Sequence, residues 1–79
     1  MRPIGVLGAG SFGTAVAIQT ARCGHRTLLW VRRPELAAEL EAARENRLYL
    51  PGVPFPESLG VTHDLAALAD AEPLVMATP

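Results

Sequence analysis

The sequence predicts an α/β fold, the first half of a doubly wound parallel sheet, and three observations carry that prediction. Short apolar runs alternate with helix-like stretches in the order β-α-β-α-loop-β-α-β, which implies a parallel sheet with helices on its faces. The first run leads straight into "GAGSFG", which places glycine at positions 8, 10 and 13. The second run, "TLLWV", is continuously apolar and β-prone, as expected of a parallel strand covered on both faces. Right-handed crossovers then set the winding.

Each element has its own signal. Arg2 to Leu7 ("RPIGVL") offers Ile4, Val6 and Leu7 as a buried strand. Ser11 to Cys23 ("SFGTAVAIQTARC") is small and apolar nearly all round, which predicts a helix buried on more than one side. Gly24 follows, where helices commonly stop in a left-handed turn. Thr27 to Val31 is the second strand. Pro34 suits the start of a helix, and Glu35 to Glu45 sets Leu36, Leu40 and Ala43 on one stripe against Glu and Arg. Three prolines and two glycines break "NRLYLPGVPFPESLG", predicting a long ordered loop over 46–60. "VTH" (Val61 to His63) reads as a short strand and "DLAALADA" as a short helix capped by Thr62 or Asp64. "PLVMATP" reads as a last buried strand, an apolar edge that invites pairing with another chain.

Bulk properties exclude several function classes. The chain has 79 residues, about half a usual domain, so it buries a smaller share of its surface than a full one. A hydrophobic content of 49% argues against disorder. No apolar run approaches the ~18 residues of a membrane span, and the N-terminus lacks the pattern of a signal peptide. With a net charge of −1 there is no basic field to attract nucleic acid. The lone Cys23 forms no internal disulfide, which fits a reducing, cytoplasmic setting. Every cationic side chain is arginine; the chain contains no lysine.

The glycines carry the chemistry. G-x-G-x-x-G recurs by chance, but between a strand and a helix it reads as the dinucleotide-binding turn of a Rossmann sheet. Gly8 makes the tight turn, Gly10 lets the backbone approach a pyrophosphate, and Gly13 lets the helix pack on the first strand. The amides near Ser11 and Phe12 face the anion. The plainer alternative is a turn packed for the fold alone. About 20 residues on, NAD-binding domains usually place an acid for the ribose hydroxyl. Here "WVRRPE" supplies Arg32 and Arg33, whose forked donors suit a 2′-phosphate, so NADP is preferred over NAD. A solvated pair is the alternative. Glu35 reads as a first-turn acid complementing the helix dipole, although a bent turn would let it reach a ribose.

Other reactive types read as bystanders. His25 and His63 sit in turns with no carboxylate partner, and Cys23 as an inert, partly buried thiol. Trp30 belongs to the core at the strand end or lines the adenine side. Asp64, Asp70 and Glu72 make no metal constellation. Pro79 falls at the carboxyl side of the sheet, bordering the nicotinamide half of the cleft.

Together these residues resemble the N-terminal part of bacterial NAD(P)-dependent glycerol-3-phosphate dehydrogenase, over essentially the whole chain. "VLGAGSFGTAVA" is similar to that family's glycine loop, and "GHRTLLWVRRPE" to its second strand and adenine-side turn. "ENRLYLPGVPFPESLGVT" resembles its N-x-x-Y-L-P-G segment, and "VMATP" the V-x-x-P ending of its fourth strand. Phe12 departs from the family, which more often has Trp there, but keeps an aromatic.

The resemblance implies that Ser11, Phe12, Arg32 and Arg33 contact the dinucleotide, with Tyr49 as a further candidate or an anchor for its loop. It implies reduction of dihydroxyacetone phosphate to sn-glycerol 3-phosphate for phospholipid synthesis, by hydride transfer from NADPH or NADH, in a homodimer. The family's catalytic base and substrate-phosphate contacts include lysines beyond the fourth strand. The 79 residues are therefore expected to be the N-terminal dinucleotide-binding portion, inactive alone, with the rest of the cofactor domain and a C-terminal substrate domain beyond Pro79. Ketopantoate or 6-phosphogluconate type reductases share the glycine turn but not "NRLYLPG". A non-catalytic dinucleotide-sensing module and an α/β unit that binds nothing are the readings from other classes.

Overall fold

A computed structural model describes residues 2–77. Four parallel strands form one sheet in the order β3-β2-β1-β4, with β1 at Ile4–Leu7, β2 at Thr27–Trp30, β3 at Leu59–Thr62 and β4 at Leu74–Met76. Helix α1 (Ser11–Arg22) joins β1 to β2, and α2 (Pro34–Ala43) leads from β2 towards β3. A 3-10 turn at Leu65–Leu68 lies between β3 and β4. This is the incomplete Rossmann-type α/β half-sheet that the sequence predicts, with β4 added on the far side of β1 from β2 and β3.

Strand register sorts the side chains onto two unequal faces. Val6 pairs with Leu29 and Leu29 with Val61, so these residues share a face. That face carries the core: Val6 and Leu29 are fully buried, with Ala17, Ile18 and Ala21 of α1 and Leu40 of α2 in the same cluster. Each fully buried aliphatic here contributes about 1.5–3 kcal/mol relative to exposure. A hydroxyl pair, Thr20 Oγ1 to Thr27 Oγ1 at 2.8 Å, fixes α1 over β2 without leaving either group unsatisfied. The opposite face carries Gly5, Leu7, Leu28, Trp30, Leu74 and Met76 and is covered mainly near Gly5, where Leu68 and Ala71 pack.

Several expectations change. Helix α1 buries one stripe, Gly13, Thr14, Ala17, Ile18 and Ala21, rather than several sides. Ser11 and Ala15 are exposed, while Val16 and Thr20 flank the stripe and pack against the core and Thr27. The last strand is not buried: Leu74 is 52% and Met76 68% exposed, because only β1 flanks it and its outer face has little cover. The expected loop over 46–60 ends early, since Leu59 and Gly60 already pair with Thr27 and Leu28. Helix α2 stops at Ala43 because Arg44 turns left-handed (φ 56°). "DLAALADA" makes only a 3-10 turn, capped by Asp64, which accepts from the Ala66 amide at 3.0 Å; Thr62 bonds the Asp64 amide instead. Cys23 is exposed rather than partly buried. Gly24 ends α1 with φ 93°, as expected. Pro79 lies outside the described residues.

Candidate functional site

A cleft of about 650 Å³ opens at the carboxyl ends of β1 and β2. Gly8, Ala9 and Gly10 form one wall, Trp30 to Arg33 another, and Leu36, Asn46, Leu48 and Tyr49 complete it. A second cavity of about 630 Å³ lies beside the amino ends of β2 and β3, and none of the expected site residues lines it.

The three glycines are small for three different reasons. Gly8 has φ 111°, a conformation that L side chains rarely adopt, so the turn itself requires glycine. A Cβ at Gly13 would lie 2.0 Å from the Gly8 carbonyl oxygen, so close helix-to-strand packing requires the second. Gly10 is different. Its backbone (φ −72°, ψ −174°) suits any residue, and a Cβ there would meet nothing within 4 Å. No contact within the described residues demands glycine at 10, and Gly10 is one of the residues that line the cleft.

Gly10 is also the N-cap of α1, which has no side-chain cap and no acid in its first turn. Among the described residues the amides of Ser11, Phe12 and Gly13 donate to no acceptor, while Thr14 N–H already bonds the Gly10 carbonyl at 3.0 Å. Free donors at a helix start, reinforced by the helix dipole, make an anion site. Residues 46–50 are tied to this turn. Asn46, 3% exposed, donates through Nδ2 to the Ala9 carbonyl at 2.8 Å and Thr14 Oγ1 at 2.9 Å, and its Oδ1 accepts from the Tyr49 amide at 3.2 Å. Ser11 Oγ donates to the Tyr49 carbonyl at 3.2 Å.

The arginine side is electropositive and open. Arg32 and Arg33 line the cleft. The nearest acid, Glu35, stands 4.0 Å from Arg33 Nε with both side chains well exposed, a pair worth about 0–1 kcal/mol that leaves the guanidinium free to turn. Trp30 is half-buried at the cleft edge, held by its indole N–H to the His63 carbonyl at 3.1 Å. It lines the cleft rather than filling the core.

The structure thus gathers Gly8, Gly10, Arg32, Arg33 and Tyr49 at one opening. Gly13 sits behind it against Gly8, Ser11 holds the Tyr49 backbone, and Phe12 is 66% exposed and not among the residues that line the cleft. Sequence reasoning missed Asn46, although it begins the quoted "NRLYLPG" segment. The matching signal was Thr14, a polar side chain on the buried stripe of α1.

A parallel sheet whose first strand turns through glycine into an uncapped helix, beside a cleft with free cations, defines a class: the opening half of a dinucleotide-binding Rossmann domain. Within that class the chain belongs to the family described as NAD-dependent glycerol-3-phosphate dehydrogenase N-terminus, which matches residues 3–79. It is 53% identical over 77 residues to the glycerol-3-phosphate dehydrogenase [NAD(P)+] of Hydrogenovibrio crunogenus, covering 96% of this chain and 22% of that protein. The enzyme of the same name from Deinococcus radiodurans is 51% identical over 75 residues, covering 94% of this chain and 23% of that one. The crystal structure of glycerol-3-phosphate dehydrogenase from Coxiella burnetii superposes with a TM-score of 0.89 at 41% identity, covering 95% of this chain and 23% of that one. The chain therefore spans less than a quarter of the length of these relatives.

Proposed function

We propose that the cleft binds a nicotinamide dinucleotide, NADPH in preference to NADH, as the cofactor-binding part of a longer oxidoreductase. That enzyme interconverts dihydroxyacetone phosphate and sn-glycerol 3-phosphate for phospholipid synthesis. The observation that carries this reading is Gly10: it lines the cleft, and no neighbour within 4 Å of its missing side chain requires glycine there. A dinucleotide fits the residues present. The uncapped amides at Ser11, Phe12 and Gly13 would hold the pyrophosphate, with Gly8 and Gly13 keeping the turn closed behind it. Arg32 and Arg33 would hold the 2′-phosphate, Trp30 would border the adenine, and Tyr49 would close the wall opposite the glycines.

Bound there, the cofactor supplies the hydride that reduces the ketone. The part of this chain is to hold it in one orientation. In the family this chain resembles, the catalytic base and substrate-phosphate contacts include lysines. This chain has none, so on this reading those roles fall to the rest of the longer enzyme. The parent enzyme is read as a cytoplasmic homodimer. Among the described residues no helix is long and apolar enough to cross a membrane, and the free, exposed Cys23 suits a reducing compartment.

Trp30 is the only tryptophan and stands at the cleft, so its emission reports occupancy. Titration with NADPH and NADH should show tighter NADPH binding, and Arg32→Ala or Arg33→Ala should each weaken NADPH about tenfold or more while sparing NADH. Equal binding of both cofactors would remove the 2′-phosphate role from the arginines. No binding of either by the folded protein would refute the site.

A further inference from the structure

We infer that Asn46 is a positioning residue that sets the polarity of the glycine turn, so that it presents an N–H rather than a C=O to the cleft. The inference rests on the dinucleotide reading above and concerns how the anion is received.

A trans peptide points its C=O and N–H in opposite directions. The Ala9–Gly10 peptide has its carbonyl held from behind, by Asn46 Nδ2 at 2.8 Å and Thr14 Oγ1 at 3.3 Å. The Gly10 N–H on the same plane therefore faces the other way, and among the described residues it donates to nothing. Gly10 itself lines the cleft. Glycine makes that plane easy to rotate, because no side chain at 10 resists the motion. The opposite orientation would turn a carbonyl oxygen towards an incoming phosphate, and repulsion would replace a hydrogen bond. Something must hold the plane, and Asn46 makes the shorter of the two buried side-chain bonds that do so, with Thr14 beside it.

The amide is suited to this task in both halves. Its NH2 group serves two acceptors, Ala9 O and Thr14 Oγ1, while its oxygen accepts from the Tyr49 amide, so its orientation is fixed. A carboxylate of the same shape would set an acceptor against the Ala9 carbonyl. The clamp also reaches across 37 residues, so it sets the glycine turn relative to the Leu48–Tyr49 wall.

The test is titration of the full chain with three probes: NADPH, NADH and adenosine 2′-phosphate. The last carries the arginine-side phosphate but no pyrophosphate. For Asn46→Asp, NADPH and NADH binding should each weaken by about tenfold or more, with their ratio unchanged, as expected for the loss of a charge-assisted hydrogen bond. Adenosine 2′-phosphate should bind as in the unaltered protein. Asn46→Ser, neutral and too short to reach Ala9, should give the same split if the aspartate fails to fold. Equal weakening for all three probes would mean that Asn46 merely keeps the cleft intact, and would overturn the inference. So would unchanged binding of the dinucleotides, or unfolding of both variants. If the unaltered protein binds none of the probes, it is the dinucleotide reading that fails, and the role of Asn46 fails with it.

Discussion

Alanine at Gly10 and alanine at Gly13 are the same chemical change three residues apart, and they should have opposite consequences. At Gly13 the new methyl would stand 2.0 Å from the Gly8 carbonyl oxygen, against 3.4 Å or more for ordinary contact. Neither atom can yield alone, because one belongs to the helix backbone and the other to the turn. Helix α1 must move off β1 by more than an ångström, and overpacking of this kind costs about 3 kcal/mol. A domain of this length has only about 4–12 kcal/mol of stability, so the loss should lower Tm by about 12–24 °C. At Gly10 the methyl meets nothing, and the backbone angles are ordinary. Two small effects oppose each other: alanine is a poorer N-cap than glycine, and it stiffens the unfolded chain. The net change should stay within about 0.5 kcal/mol.

Binding should discriminate the other way. A methyl at 10 occupies the space through which the backbone approaches a pyrophosphate, so Gly10→Ala should weaken NADPH by about tenfold or more in a fully folded protein. Thermal denaturation and Trp30 emission measure the two effects on the same samples. A Gly10→Ala protein with unimpaired cofactor binding would refute the argument that the open space belongs to a ligand. One destabilised as much as Gly13→Ala would refute the geometry beneath it.

The remaining expectations concern stability and charge. Leu29→Ala removes a fully buried side chain between α1 and the sheet and should cost about 2–5 kcal/mol, read as a fall in the urea midpoint. Arg44→Ala should cost about 2 kcal/mol by the same measurement. Its guanidinium donates to the Pro56 and Leu59 carbonyls at 2.9 and 2.7 Å, and the loss is moderated because the side chain is partly solvated. Asp64→Ala should cost only about 0.5–1 kcal/mol, since it caps a single turn at the surface. NADPH affinity should fall more steeply with salt than NADH affinity, because the two arginines at the cleft are exposed.

What the sequence made legible was local. The strand–glycine–helix junction, the stop at Gly24, the helix start at Pro34 and the arginine pair are each set by neighbours a few residues apart. What it hid depended on distant partners. Pro56 and Gly60 masked the start of β3, because pairing with Thr27 and Leu28 decides it and no local propensity does. The apolar surface of α1 gave no indication of which side would meet the sheet. Asn46 reads as an ordinary loop residue until Thr14, 32 positions earlier, is brought beside it. Arg44 likewise reads as the helical end of an amphipathic stripe. Its reach to Pro56 and Leu59 helps to offset a left-handed backbone, which costs a non-glycine residue about 1–2 kcal/mol.

The two edges of the sheet are finished differently, and this gives the domain a direction of growth. On the β3 edge, the outward Val61 amide donates to Glu41 Oε2 at 2.9 Å and the Leu59 carbonyl accepts from Arg44. Glu41 and Arg44 are themselves an ion pair, so the last turn of α2 blocks this edge with side chains. Another strand would have to displace charged partners to add there. On the β4 edge the inward groups are used by β1, through Gly5 N–H to Pro73 and Ala77 N–H to Leu7. The alternate groups of Leu74 and Met76 have no partner among the described residues, and their exposed side chains lie on the thinly covered face. Additional strands can therefore pair at β4 at no cost in existing bonds, and helices crossing over to them would cover Leu74 and Met76. The cleft lies at the carboxyl ends of β1 and β2, and β4 flanks β1 on the side away from β2. If the cleft holds a dinucleotide as proposed, growth at β4 would extend it from the Arg32–Arg33 end towards a position for the reactive ring.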